Sequence, residues 1–314
     1  MSTELRPRRK PALKLIGFVL LLALVTAGSL MVYLVERDRG QREIVLGDTT
    51  SANRLDVSVF VQKTDAVLQE ISAQVEVSPQ GALADANGLP AKDVTLYTNG
   101  VKGDVLPFKA GKTPSVADLR VAMNEGVITD YPFDSYEVDF GFAAEVDGTA
   151  VPVTVTLVNA DSFFRLTLVR NETTNDALMF SAAAERSVGT FAFALFIMVF
   201  MWFLSLAAVI AAWFAMKGRH GLLWPSMSFM GALLFALVPL RNAVPGQPPV
   251  GSVVDFGAFF LAEALISLSL ITTVVVGYRV ERAKEREKAA AEAAERESIP
   301  AGPGPLEPVG SPGR

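Results

Sequence analysis

Two rhythms of apolar and polar residues run along the chain. In the first, long stretches carry no charge: residues 15–35, 188–216 and 221–240 have none, and residues 256–278 have only Glu263. A bilayer-spanning helix needs about 20 apolar residues, so this pattern predicts four transmembrane helices. The 29 residues of 188–216 reach further than a hydrocarbon core of roughly 30 Å at about 1.5 Å per residue, so this helix tilts or projects from one face.

The second rhythm alternates. Residues 55–61, 71–77 and 151–157 place apolar side chains at every second position, and 94–97, 119–123, 136–142, 164–169 and 178–184 offer further strands. Alternation marks half-buried strands, and Asn87-Gly88, Asn99-Gly100 and Asp147-Gly148 mark turns between them. No segment of 37–187 repeats with a helical period. About seven to nine short strands predict a sandwich or barrel. The expected fold is an α+β membrane protein: four transmembrane helices, with one extracytoplasmic all-β, sandwich-like domain inserted between helices 1 and 2. The last strand runs almost directly into the second helix, which ties the domain mechanically to the bundle.

Basic residues orient the helices, because Lys and Arg are enriched on the cytoplasmic side. Arg6, Arg8, Arg9, Lys10 and Lys14 precede the first span, Lys217 and Arg219 fill the turn between the second and third, and Arg279, Arg282, Lys284, Arg286 and Lys288 follow the fourth. The loop between the third and fourth has only Arg241. All three clusters share one side if both termini are cytoplasmic, in a multi-pass plasma-membrane protein. Trp213 and Trp224 then fall near the inner interface, where such rings are enriched. The first apolar run exceeds the 7–15 residues of a signal-peptide core, so it reads as an uncleaved anchor. The expected order is a basic N-terminus (1–14), a span (15–35), the outer domain (37–187), spans at 188–216 and 221–240, and an outer loop (241–255). A last span (256–278), a charged cytoplasmic helix (279–298) and a disordered tail (299–314) rich in Pro and Gly complete it.

Composition sharpens this reading. The chain is 51% apolar and 19% charged, and its mean hydropathy is +0.36. Residues 37–187 carry a net charge of −9 against −5 for the whole chain, so charge is sorted across the membrane. There is no cysteine and one histidine, His220. That excludes disulfides, thiolate metal sites, thiol nucleophiles and HExxH chemistry. His220, beside basic residues at the inner surface, reads as a headgroup contact. No nucleophile elbow, P-loop, dinucleotide fingerprint or EF-hand loop occurs, so no catalytic residue, cofactor or metal is expected, and no nucleic-acid partner. Loop carboxylates such as Asp130, Asp134, Asp139 and Asp147 leave ion binding open as an alternative.

The remaining candidates are structural or coupling residues. Glu263 lies about two turns inside the fourth helix, where a carboxylate is expensive and needs a partner or water; Arg241 and Ser267 are within reach by sequence. A polar clamp, an ion or proton pathway and snorkelling to the headgroups are its three readings. Asp255 starts the same helix, where the positive end of the dipole favours an acid. Tyr131, Pro132, Phe133, Asp134 and Tyr136 read as a tight inter-strand turn or as a loop that docks on 241–255. In the docked arrangement Asp134 or Glu263 would lie near Arg241.

Residues 131–136, Met201-Trp202, Leu234-Phe235-Ala236, Arg241-Asn242, Pro248-Pro249-Val250-Gly251, Asp255-Phe256 and Phe259-Phe260-Leu261-Ala262-Glu263 together resemble the uncharacterised four-pass membrane proteins known as domain of unknown function 4436. That likeness would run over about 15–278, with Leu261 standing where the family pattern has Trp, and it implies no activity or catalytic residue. A weaker resemblance is to pentameric ligand-gated channels. There a Phe-Pro-Phe-Asp loop of a β-sandwich touches an outer loop of the bundle; Tyr131–Asp134 and Arg241–Asp255 would correspond, and Arg186 before the second span fits the same arrangement. The third span has Ser226 and Ser228 near its inner end and then an apolar run, whereas a water-filled pore carries polar residues further along one face. The expected function is therefore binding or scaffolding at the cell envelope, with the lipid bilayer and an envelope protein or a second copy of the chain as partners. The alternative is a channel or transporter gated through 131–136 and 241–255.

Overall fold

The computed structural model describes residues 9–39, 43–173, 177–217 and 224–298. His220, Arg219, the basic residues before Arg9 and the 299–314 tail lie outside the described residues. The chain forms two compact units. One comprises residues up to Met198 together with Asn242–Gly257; the other comprises Val199–Arg241 and the residues from Ala258 onward.

In the first unit, helix α1 (Arg9–Arg39) precedes the β domain. Eleven strands follow: β1 (Glu43–Gly47), β2 (Leu55–Asp65), β3 (Glu70–Pro79), β4 (Val94–Thr98), β5 (Val105–Phe108), β6 (Ala117–Asn124), β7 (Ser135–Val146), β8 (Thr149–Val151), β9 (Val153–Asn159), β10 (Phe164–Thr173) and β11 (Leu178–Arg186). They form one continuous, barrel-like sheet in the order β1-β9-β2-β3-β6-β7-β11-β10, with β4 and β8 attached at β7 and β5 paired to β4. Strand β6 carries the sheet from one layer to the other. Its residues 117–122 pair with β3, while Met123 and Asn124 pair with β7.

Alternation builds the core. Leu55, Val57, Val59 and Val61 of β2, Ile71, Val75 and Val77 of β3, and Tyr136, Val138, Phe140 and Phe142 of β7 are all buried. Phe180 of β11 stacks on Phe140 with ring centroids 5.1 Å apart, and lies 6.3 Å from Phe142. The segment 151–157, read as one strand from sequence, is two. Pro152 has no N–H to donate to a ladder, and β8 and β9 part on either side of it, while its carbonyl accepts from the Leu55 amide at 2.9 Å. Strand β9 then runs parallel to β2.

Strand β11 ends at Arg186, and α2 (Val188–Lys217) begins after a single residue, Ser187. The Ser187 hydroxyl accepts from the Thr190 amide at 3.2 Å and donates to the Thr190 hydroxyl at 2.9 Å. It is an N-cap for an otherwise unsatisfied helix end. The Ser187 amide donates to the Phe163 carbonyl in the β9–β10 turn.

The second unit holds the remainder of α2, most of α3 (Trp224–Asn242) and most of α4 (Phe260–Ser298), which follows a π-helical turn at Asp255–Phe259. Its buried positions recur at three- and four-residue steps: Met201, Ser205, Ala208, Ala212 and Ala215 on α2, and Ala262, Ile266, Ser269 and Thr273 on α4. Small and hydroxyl residues allow close helix approach in apolar surroundings. Ser205, Ser269 and Thr273 satisfy their hydroxyls on carbonyls of their own helices.

Among the described residues, three helices are long and apolar enough to cross a membrane: Val188–Lys217, Trp224–Asn242 and Asp255–Ala294. The chain is thus a β domain joined to apolar helices consistent with a membrane protein. Four such helices were expected. In α1 the apolar stretch among the described residues is Leu22–Val35, shorter than a span.

Candidate functional site: a buried ion pair where strand becomes helix

The β6–β7 connection brings four of the sequence candidates together. A 3₁₀ turn at Ile128–Asp130 leads into Tyr131, whose bond to Pro132 is cis, and then into Phe133 and Asp134. Strands β7 and β11 pair antiparallel, with Ser135 opposite Glu185. One rung beyond, Asp134 faces Arg186. Both side chains are almost wholly buried, with relative exposures of 0% and 3%. The Arg186 Nη2 donates to Asp134 Oδ2 at 2.7 Å, and Nε donates to Oδ1 at 2.9 Å. The Tyr136 hydroxyl adds a third donor to this carboxylate, 3.0 Å from Oδ2.

Aromatic rings enclose the cation. The Arg186 Cζ lies 4.0 Å from the Phe164 ring centroid and 4.8 Å from that of Tyr131, a stacking geometry that favours a planar guanidinium. Burial raises the Tyr131 phenol above its ordinary pKa, with Arg186 opposing and Asp134 adding. Burial likewise raises Tyr136, and the Asp134 charge and hydrogen bond push it the same way. Both rings stay neutral at physiological pH. The Tyr131 hydroxyl is buried without a hydrogen-bond partner among the described residues, so that ring serves as a wall.

Two contacts extend the site. The Phe133 ring is exposed on one side and meets Phe191 in the first turn of α2 edge-on, with centroids 5.5 Å apart. The loop after α3 reaches Arg186 as well. At Gly246 φ is +76°, and a Cβ built there would fall 2.7 Å from Arg186 Nη1. The 131–134 turn and the 242–247 loop therefore share one guanidinium. Beside it lies a cleft of about 810 Å³ lined by residues of the 62–68 and 160–164 turns and of 242–247.

The other candidates sit elsewhere. Asp255 is buried in the turn that opens α4; its Oδ2 accepts from the Gly251 amide at 2.7 Å and the Ser252 amide at 3.2 Å. The carboxylate thus caps the amides that open the turn, and the Asp255 amide closes it on the Ser252 carbonyl. Arg241 lies in the last turn of α3. Glu263 is half-buried on α4 and makes no hydrogen bond or ion pair among the described residues, Ser267 included. The expectation placed Asp134 or Glu263 near Arg241; the cation bound to Asp134 is Arg186. The loop acids considered for ion binding are dispersed. Asp139 accepts from Ser181 and Asn124, Asp147 pairs with Lys92, and Asp130 is exposed. No three His, Asp or Glu side chains cluster to hold a metal among the described residues.

The class defined by these features is a barrel-like β domain that passes through a buried ion pair into apolar helices. Residues 45–184 match the family model Domain of unknown function (DUF4436), and the β domain resembles that family. Residues 186–280 match a second model, Domain of unknown function (DUF8686). The resemblance expected to run over 15–278 therefore divides at the strand-to-helix join. The 131–136 motif falls in the first match and the motifs from Met201 to Glu263 fall in the second. No curated protein matches the chain.

Proposed function

We propose that the protein is a multi-pass membrane scaffold of the cell envelope, with its β domain outside and both termini in the cytoplasm. In this reading α1 is the fourth span and the bilayer is its standing partner. An envelope protein or a second copy of the chain engages the outer domain. The observation that carries the proposal is the Asp134–Arg186 pair. A charge pair buried at the last rung of the domain, one residue before α2, braces the strand that leads into the helix and offers no reacting group. The basic clusters on one side of the expected spans and the acidic domain on the other support the orientation.

A second reading rests on Arg186 being shared by the 131–134 turn and the 242–247 loop: a channel or transporter in which movement of the domain is passed to the outer loop. The two readings separate in proteoliposomes. A scaffold passes no Na⁺, K⁺ or Cl⁻ above empty vesicles; a flux that Glu263→Gln abolishes while the protein stays folded overturns the scaffold and makes Glu263 part of a pathway. Orientation is read in the same vesicles with single thiols in this cysteine-free chain. An impermeant reagent that labels Asn87→Cys and Lys284→Cys from the same side sinks the topology.

A further inference from the structure

Strand directions sort the turns of the β domain into two ends. At one end lie the start of β1, the β2–β3 turn, the β6–β7 connection, the β9–β10 turn and the end of β11. Hydrogen bonds and a ring contact tie this end together and to α2. The Thr64 amide donates to Asp161 at 2.6 Å, Ser187 donates to the Phe163 carbonyl, and Phe133 meets Phe191. Each of its three turns holds a large apolar side chain out in the open. Val67 and Leu68 are each 66% exposed, Val127 56%, Phe133 61% and Phe163 44%. The turns at the other end are poorer in such side chains: 48–54, 80–93 and 147–148 expose none and are rich in Asp, Asn and Gly, and the 109–116 turn exposes Val116 alone.

We propose that this apolar rim is a membrane-seating surface, in which the tips of the three turns enter the headgroup layer of the bilayer from which α2 emerges. The proposal rests on α2 being a spanning helix. Separately placed apolar tips, concentrated at the end that leads within two residues into a helix of 30 residues and mean hydropathy 2.6, have one continuous apolar phase beside them, and that phase is lipid. Apolar side chains lower their free energy by leaving water there. The driving force is apolar and not a charge attraction. Lys63 on the rim is paired with Asp65, Asp65 accepts hydrogen bonds within its own turn and Asp161 from Phe163 of its own turn and Thr64 of β2, and Glu125 and Asp130 are exposed beside Val127. Seating would hold the β domain upright on the surface and keep its polar end turned to partners.

The test uses the full chain in nanodiscs of phosphatidylcholine and phosphatidylglycerol, with an environment-sensitive fluorophore on single thiols. Leu68→Cys, Val127→Cys and Phe163→Cys report the rim, Asn87→Cys the far end and Phe203→Cys the middle of α2. With doxyl lipids labelled high on the acyl chain, the three rim sites are expected to lose most of their emission and Asn87→Cys to lose none. Rim sites quenched by aqueous iodide and not by doxyl lipid, while Phe203→Cys responds to lipid, overturn the seating and leave the spanning helix intact. Rim sites shielded from both quenchers mean that protein covers them, which also overturns it. If Phe203→Cys itself ignores the doxyl lipid, the spanning helix fails, and the seating fails with it.

Discussion

Arg186 concentrates more interactions than any other side chain of the β domain described above. It is held by two hydrogen bonds to Asp134, stacked between Phe164 and Tyr131, and overlain by Gly246. Removing one partner of a buried pair leaves an uncompensated charge, at about 3–5 kcal/mol. Asp134→Ala should therefore lower the unfolding free energy of the domain by about that amount, followed by circular dichroism in detergent. Replacing both partners, Asp134→Leu with Arg186→Met, should lose far less, because an apolar pair carries no stranded charge. Equal losses for the single and double variants would show that packing and not charge holds the site. The two neighbouring phenols give a pH signature. Their folded pKa values lie above the unfolded ones through burial and Asp134. Their contribution to stability is complete below about pH 10 and is lost as the pH rises through the raised values. Tyr131 and Tyr136 should ionise late in an alkaline titration of the folded protein; these two ionising in the ordinary phenol range, with the domain still folded, would contradict the buried geometry. Asp134 was readable as a turn acid from its Pro and aromatic neighbours. Its partner was not, because Arg186 lies 52 residues away in sequence and only the β7–β11 register sets the two opposite one another.

Among elements, the long interior strands were legible because their apolar positions alternate over six or more residues. Those missed were the short strands at sheet edges: β1, paired only with β9; β5, paired only with β4; and β8, paired only with β7. Such strands run for only three to five residues and bury at most one of them, too few for a period to emerge, and β5 contains Pro107, tolerated at an edge. The parallel pairing of β2 with β9 was equally out of reach, since no local turn encodes it. The 242–257 loop was read as stiff from its prolines and glycines, yet the residue that matters most is Gly246, for a reason absent from the sequence: the guanidinium beneath it. That side chain is an arginine end locked on both faces, so it has little freedom to yield. Gly246→Ala should cost about 1–3 kcal/mol from crowding and left-handed backbone strain. In the Asp134→Leu, Arg186→Met background the crowding disappears and only the backbone part should remain. A double-mutant cycle on unfolding free energies measures the difference; a cycle that closes to zero would mean that the loop and the guanidinium are independent.

At the scale of the molecule, the two family matches meet at the join, and the contacts draw the boundary differently. Arg186 opens the helical match, but its hydrogen bonds and ring contacts are all to residues of the β domain. The structural domain thus ends after Ser187, whose amide still bonds to Phe163 and whose hydroxyl already caps α2. Any ancestral or engineered exchange of the two parts at residue 185 would separate Asp134 from its cation. Short insertions into the full chain test this directly. Gly-Ser-Gly placed between Glu185 and Arg186 moves the guanidinium off its rung and should destabilise the β domain by about 3–5 kcal/mol, the same loss as breaking the pair by mutation. The same insertion between Ser187 and Val188 leaves Arg186 in place and removes the cap, for about 1 kcal/mol. Both are read from thermal unfolding of the strand signal in detergent, with the helical signal as an internal reference. If the two insertions cost the same, Arg186 belongs to the helices and the domain ends where the first match does. If the first alone is severe, the ion pair is the structural end of the β domain, and force on that domain reaches the helices through Ser187 and the first turn of α2.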